Sequence, residues 1–119
     1  MAAATTQQLT DIDAALSAVN SYISQIQAAQ RAANNLGKSA DVMTLHAKFV
    51  DAQALETSLN SLYTITAVDS LNAAITAVKQ TTDHLNNQKN QIDRVVKDVG
   101  IAADVLTLIA NIAAEVAKL

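Results

Sequence analysis

Cysteine, proline and tryptophan are all absent from this 119-residue chain, and glycine occurs only twice, at Gly37 and Gly100. The lack of cysteine excludes disulfide bonds and thiolate metal sites. Without proline, and with so little glycine, the chain lacks the residues that interrupt helices. Because the sequence is also rich in Ala, Leu, Gln and Asn, we expect an all-α protein.

Charged residues are scarce as well, at 16% of the chain, with eight basic residues, eleven acidic ones and a net charge of −3. Neither a run of basic residues nor a cluster of aromatic residues is present, so binding to nucleic acid is not expected. The polar surface must then consist mainly of Ser, Thr, Asn and Gln. This composition is typical of exported helical proteins and of subunits that self-assemble.

The chain length fits a single domain over residues 1–119, which is large enough to bury a core without disulfide bonds. The N-terminal residues show no basic segment followed by an apolar stretch, so no signal peptide is visible. The localisation is therefore left open between the cytoplasm and export by a route that does not use a signal peptide.

Residues that could carry chemistry are few. No glycine-rich phosphate loop and no nucleophile elbow occur, so no catalytic residue is predicted. The two histidines, His46 and His84, would lie at the level of Glu115 and Gln30 if the helices pair antiparallel, and two histidines with a carboxylate can form a metal site. Both histidines flank the apolar seams, however. We therefore expect solvated histidines, with no metal and no cofactor.

The first helix is predicted over residues 5–36. Thr5 and Gln8 have the spacing of a capping box, in which each side chain bonds the backbone of the other residue. Gly37 supplies the left-handed conformation that ends a helix. Apolar residues in steps of three and four form a heptad seam along one face, as in a coiled coil. This seam consists of Leu9, Ile12, Leu16, Val19, Ile23 and Ile26.

The second helix is predicted over residues 40–63, with Ser39 or Asp41 as its cap. Its pattern weakens at the sequence YTIT, whose β-branched residues disfavour helix. The heptad spacing places Glu56 where an apolar residue is expected, and the neighbouring Leu55 can take that position in the seam. The remaining seam residues are Val42, Leu45, Phe49, Ala52, Leu59 and Leu62.

The third helix is predicted over residues 67–99, with Thr66 as its cap and Gly100 after its end. Its apolar seam is the longest in the chain, but Thr82 and Lys89 interrupt it, as Gln30 interrupts the first seam. Polar residues at such positions can fix the register or the oligomeric state. Alternatively, Lys89 extends into solvent from the edge of the seam. The apolar seam residues are Val68, Leu71, Ile75, Val78, Leu85, Ile92, Val96 and Val99.

Residues 101–119 are predicted to form a fourth helix that is almost entirely aliphatic. Its polar residues fall on one stripe: Asp104, Asn111, Glu115 and Lys118. Acidic residues in its centre disfavour a membrane span, and an acidic stripe disfavours an anionic membrane surface. Two interpretations remain, a helix buried between its neighbours or an apolar face completed by another subunit.

Short connections make consecutive helices antiparallel. We therefore expect an antiparallel up-down bundle of three long helices plus a short, very apolar fourth helix. We predict a non-enzymatic structural or interaction protein that forms a homo-oligomer or docks another helical protein through its heptad seams and C-terminal helix. The interaction candidates are Leu106, Ile109, Ile112, Val116 and Leu119. The alternatives are a membrane-active or lipid-binding bundle whose last helix swings out at Gly100, and a binder of a small apolar ligand.

Overall fold

The computed structural model describes residues 2–101 and 104–119, of which 83% are helical and none lies in a strand. The predicted all-α class is confirmed. The molecule is a rod of 49 × 20 × 19 Å. The helices of the described ranges are α1 (Thr6–Asn35), α2 (Ser39–Ser61), α3 (Val68–Asn87), α4 (Lys89–Asp98) and α5 (Val105–Ala117). Ala102 and Ala103, which the predicted fourth helix included, lie outside the described residues.

Helix α1 is the central element of the rod, because it packs extensively against both α2 and α5. Near one end of the rod the Tyr63 hydroxyl donates a hydrogen bond to Asp13. Further along, Gln30 Nε2 lies 3.4 Å from His46 Nδ1. Residue numbers thus rise along α1 as they fall along α2, so these two helices run in opposite directions.

The face that α1 turns to the core differs from the predicted one. Ile12, Val19 and Ile26 are fully buried as expected, but Leu16 and Ile23 are only half-buried. Their places in the core are taken by residues on the other side of the seam, namely Ala15, Tyr22, Ala29 and Ala33. Three of these four residues are alanines, whose small side chains let α1 approach the neighbouring helices α2 and α5 closely.

Both glycines adopt the predicted left-handed conformation, with φ of 69° at Gly37 and 80° at Gly100. At Gly100 the backbone forms a Schellman motif. The Gly100 N–H donates to the Lys97 carbonyl at 3.0 Å, and the Ile101 N–H donates to the Val96 carbonyl at 3.3 Å. Glycine is needed at both positions because a side chain would strain a positive φ.

The capping predictions are confirmed at α1 and wrong at α2 and α3. Thr5 and Gln8 form the complete capping box. In contrast, Ser39 is the first helical residue of α2, and neither α2 nor α3 has a side-chain cap. The position before α3 is occupied by Ala67 rather than Thr66. Asp69 lies in the first turn of α3, where a carboxylate interacts favourably with the helix dipole.

The predicted third helix is divided in two at Gln88. This residue ends α3 and precedes α4, with φ of −96° and ψ of −1°. Its N–H donates to the Leu85 carbonyl at 3.1 Å, the spacing of a tight turn. Asparagine is a poor helix former, and three Asn residues lie between residues 86 and 90. The seam is interrupted at this point, and Val68 at the other end of α3 is 61% exposed rather than buried.

Helix α5 begins later than predicted, because Asp104 is its N-cap. Asp104 Oδ1 accepts a hydrogen bond from the Thr107 N–H at 3.1 Å, and Oδ2 accepts one from the Thr107 hydroxyl at 2.6 Å. These hydrogen bonds from Thr107 hold the pKa of Asp104 below its ordinary value. The polar stripe of α5 therefore starts with a residue that has a structural role.

We expect Asp104→Ala to destabilise α5, whereas Glu115→Ala, which removes an exposed ion pair with Lys118, should have little effect. Since the pKa of Asp104 is lowered in the fold, its stabilisation is present above the unfolded pKa and is lost as the pH falls through the folded pKa. Denaturant unfolding of both variants at neutral and acidic pH checks this. Equal losses for Asp104→Ala and Glu115→Ala at neutral pH would contradict it.

Candidate interaction surface

The predicted interaction residues of α5 are divided between the core and its edge. Ile109, Ile112 and Val116 are buried within the chain itself. Leu106 and Leu119 are half-buried, and Leu119 packs against the buried core. Helix α5 as a whole contacts α1, α3 and α4. Of the five predicted residues, the two half-buried leucines retain surface that a partner could contact while α5 keeps its place.

The first interpretation of α5, a helix buried between its neighbours, fits the burial of the other three predicted residues. Asn111 and Lys118 are exposed, and Glu115 is half-buried with its carboxylate 3.2 Å from the Lys118 ammonium. Three alanines widen the solvent-facing stripe: Ala110, Ala114 and Ala117. Helix α5 therefore presents small and polar side chains outwards.

The two histidines lie on the surface, as predicted. His46 lies beside Gln30, at the level expected from antiparallel pairing of the helices, and its ring lies 6.5 Å from that of Phe49. His84 Nε2 instead lies 3.1 Å from Gln88 Nε2 within its own turn, and Glu115 pairs with Lys118. Within residues 2–101 and 104–119, no group of three His, Cys, Asp or Glu side chains is close enough to hold a metal ion.

An apolar seam that the sequence interpretation did not include runs along the outer face of α2. Met43 is 73% exposed and Val50 is 47% exposed. Alanines alternate with them in steps of three and four, so the positions follow a heptad pattern. The outer seam consists of Ala40, Met43, Ala47, Val50, Ala54, Thr57 and Ser61, all of them exposed.

The outer seam lies directly opposite the part of α2 that faces the core. At 100° per residue, its residues cluster about 180° around the helix from the buried residues Leu45, Ala52 and Leu59. A surface helix ordinarily carries charged or strongly polar residues on the side away from the core. Helix α2 instead has two apolar faces, only one of which is covered by the rest of the chain.

The borders of the outer seam are nearly free of charge. On one side lie Thr44, Asp51 and Ser58, and on the other lie Ser39, His46, Gln53 and Asn60. Asp51 is the only acidic residue among these seven positions, and neither lysine nor arginine is present among them. Uncharged borders remove the like-charge repulsion that would otherwise oppose the approach of a second helix.

A small cleft of about 180 Å³ lies beside this helix, between α2 and the α3–α4 break. Its floor is formed by the buried side chains of Ala52 and Leu55. At one end Lys48 Nζ donates a hydrogen bond of 2.8 Å to Gln88 Oε1, which ties α2 to the break. On the other side of Gln88, its amide nitrogen lies 3.1 Å from His84 Nε2. The cleft is thus bounded by an interhelical contact.

A polar cluster joins the two turns at the glycine end of the rod. Lys38 Nζ donates to the Asp98 carbonyl at 2.7 Å and lies 3.2 Å from Asp98 Oδ2. Hydrogen bonding to Asp98 raises the pKa of Asp41, while hydrogen bonds from Asp41 and Lys38 lower the pKa of Asp98. The cluster connects the α1–α2 turn to the end of α4 through the ion pair of Lys38 and Asp98.

The two tyrosines have contrasting surroundings. Partial burial and, to a smaller extent, the hydrogen bond to Asp13 raise the pKa of Tyr63 to about 12. Tyr22 is fully buried, and within residues 2–101 and 104–119 its hydroxyl has no hydrogen-bond partner. Burial, with a smaller contribution from the Asp51 carboxylate, raises the pKa of Tyr22 well above its ordinary value. Tyr22 therefore stays neutral in the fold.

No protein-family model matches the chain, and neither a curated protein nor a solved structure shows significant similarity to it. Function must therefore be argued from the surface and the core. No helix in the described part of the chain is both long and apolar enough to cross a membrane.

The sequence pattern did not predict the outer seam because its positions are divided between large apolar residues and alanines. Met43 and Val50 are seven residues apart, and the seam positions between and beside them are alanines: Ala40, Ala47 and Ala54. Alanine is found both in cores and on surfaces, so it marks neither face by itself. A search of α2 for a second heptad phase, opposite the one that contains Leu45 and Leu59, would have found the seam.

Proposed function

We propose that the chain is a non-enzymatic interaction protein, built as an antiparallel up-down helical bundle, that self-associates by packing a second helix on the outer seam of α2. The observation that carries this proposal is the opposition of two apolar faces on α2. One face is covered by the chain, and the other, with Met43 73% exposed, is open to solvent.

The pattern of the outer seam supports helix packing rather than a scatter of exposed apolar residues. Isolated surface residues such as Val68 and Leu36 are ordinary in folded proteins. Met43 and Val50, by contrast, occupy the same position of successive heptads, and Ala47 lies between them. Such a spacing fits the surface of a second helix, whose side chains insert between those of the first.

The polar residues around the bundle favour protein over lipid as the partner. The borders of the outer seam contain no lysine or arginine, whereas helices that bind along membranes usually carry basic polar faces. The membrane-active alternative would require α5 to leave the bundle. That step would expose the buried side chains of Ile109, Ile112 and Val116, at a cost of several kcal/mol.

Replacing both Met43 and Val50 with lysine is expected to abolish self-association and to leave the stability of the monomer nearly unchanged. Both side chains are exposed, so lysine meets water in the monomer and an apolar surface in the complex. Sedimentation equilibrium over a concentration series, together with denaturant unfolding, measures the two effects. Val68→Lys, an apolar-to-lysine change at an exposed position of α3, is the matched control and should behave like the native chain.

The proposal fails if the native chain remains monomeric up to about 1 mM, where an association would be worth only about 4 kcal/mol. It also fails if the double lysine variant associates as strongly as the native chain, as the control Val68→Lys is expected to do. Unfolding of the double variant would show instead that the outer seam supports the fold of the monomer.

A further inference from the structure

Resting on the proposed function, we infer that the partner of the outer seam is the same helix of a second copy, arranged antiparallel about a twofold axis. In this pairing Ala47 of one copy faces Val50 of the other. The two flanking layers then join Ala54 to Met43 and Ala40 to Thr57.

Side-chain size alternates regularly along the outer seam. The first seam position of each heptad is alanine, at Ala40, Ala47 and Ala54, and the second is a larger residue. In an antiparallel pair, first positions face second positions of the partner, so every layer combines one alanine with one larger side chain. Layers of this kind fill space evenly and let the helix axes approach to about 8 Å.

A parallel pair would pack the same residues poorly. In that arrangement first positions face first positions, so layers of two alanines would alternate with a layer of two methionines or two valines. The helices would be held apart by the Met43 layer, and gaps would remain at Ala40 and Ala47. Cavities of this kind lower the stability of packed interfaces. The alternation of sizes therefore favours the antiparallel order.

The borders of the seam are compatible with the antiparallel order. In such a pair, each border meets the same border of the partner. His46 then lies near the level of Gln53 of the second copy, and Asp51 lies near the level of Thr44. Neither side places two like charges directly opposite each other, which would oppose association.

The size of the contact indicates a weak, concentration-dependent dimer. The paired layers from Ala40 to Thr57 span about 26 Å at 1.5 Å per residue. A contact strip about 10 Å wide would bury roughly 260 Å² on each copy, well below the roughly 800 Å² per copy of a standard specific interface. The dimer is therefore expected to dissociate on dilution.

Disulfide cross-linking tests the orientation cleanly, because the native chain has no cysteine. Ala40→Cys and Thr57→Cys are both exposed substitutions and are expected to leave the fold intact. A disulfide requires Cα atoms within about 7 Å. In the antiparallel pair residue 40 meets residue 57 of the partner, whereas residue 40 of one copy and residue 40 of the other lie about 25 Å apart along the helix axis.

The two variants are labelled with different isotopes and mixed at a concentration at which the native chain dimerises. After mild oxidation, the disulfide-linked dimers are distinguished by mass. The expected result is a mixed 40–57 disulfide in at least tenfold excess over either symmetric disulfide. Asn72→Cys, an exposed position on α3 away from the seam, reports random collision and should cross-link equally slowly with both variants. Circular dichroism of each variant verifies that it is folded.

Preference for the symmetric 40–40 and 57–57 disulfides would overturn the antiparallel order and leave self-association through α2 intact. Equal yields for all pairs, including those with Asn72→Cys, would overturn the inference because the dimer would then use another surface. If the native chain shows no dimer at all, the proposed function itself has failed, and the mass measurement shows this independently of the cross-links.

Discussion

The Ile109→Asp variant is expected to lose most of the stability of the fold, about 4 kcal/mol or more. Ile109 is fully buried on the inner face of α5, close in sequence to the buried Val105 and Ile112. A carboxylate at this position would be desolvated among aliphatic side chains without a cationic partner. A domain of this size has only about 5–15 kcal/mol of stability to lose. Denaturant unfolding followed by circular dichroism measures the loss.

Asn111→Asp is the matched control for this experiment. It introduces the same carboxylate into the same helix, at an exposed position two residues away. It should change the free energy of unfolding by no more than about 0.5 kcal/mol. Unchanged unfolding of Ile109→Asp would mean that α5 does not pack into the bundle in solution, and the membrane-active alternative would then regain support.

Tyr22→Phe is expected to stabilise the protein by about 1 kcal/mol, or roughly 4 °C in melting temperature. The phenol ring of Tyr22 lies in the core, while its buried hydroxyl has no hydrogen-bond partner in the part of the chain that the structure describes. Phenylalanine keeps the ring and removes the unsatisfied group, so packing is retained and the desolvation cost disappears. Thermal and denaturant unfolding of the variant test the direction of the change.

The second tyrosine provides a control of opposite sign. Tyr63→Phe removes the hydroxyl that donates to Asp13 and should leave stability unchanged or slightly reduced. If both substitutions change stability in the same direction, the hydroxyl of Tyr22 is not the source of the effect. A loss of stability in Tyr22→Phe would show that this hydroxyl has a hydrogen-bond partner in solution.

Local chemistry made several features of the fold predictable from sequence. The capping box of Thr5 depends only on residues three positions apart, and the helix ends at Gly37 and Gly100 depend on the unique freedom of glycine at positive φ. The all-helical class followed from composition in the same way. The capping and helix-end predictions use information contained within one or two turns of the chain, and the class prediction uses composition alone.

Features that depend on neighbouring helices were predicted less well. Leu16 fits the heptad seam of α1 better than Ala15 does by hydrophobicity, yet Ala15 is fully buried and Leu16 is not. The neighbouring helices α2 and α5 cover the side of the seam that contains Ala15, and hydrophobicity along the sequence does not indicate which side they cover. The break at Gln88 likewise coincides with a tertiary contact, from Lys48 on α2, that the local sequence does not reveal.

The outer seam shows a further limit. The sequence interpretation assigned one apolar face to each helix and placed the interaction residues on α5, the most apolar segment. In the structure α5 uses its buried residues, such as Ile112, to complete the core, and the open apolar face lies on α2 around Met43 and Val50. Overall hydrophobicity of a helix therefore does not indicate which of its faces remains uncovered.

The packing of α1 against α5 has a consequence for the order of events during synthesis. Because the first and last helices contact each other extensively, the buried face of α1 is complete only when the C-terminal residues have been made. At 5–20 residues per second, the interval between Asn35 and Leu119 is roughly 4–17 s. Helix α2 packs extensively against α1 and is made first, so we expect the α1–α2 hairpin to form on the nascent chain before α5 completes the core.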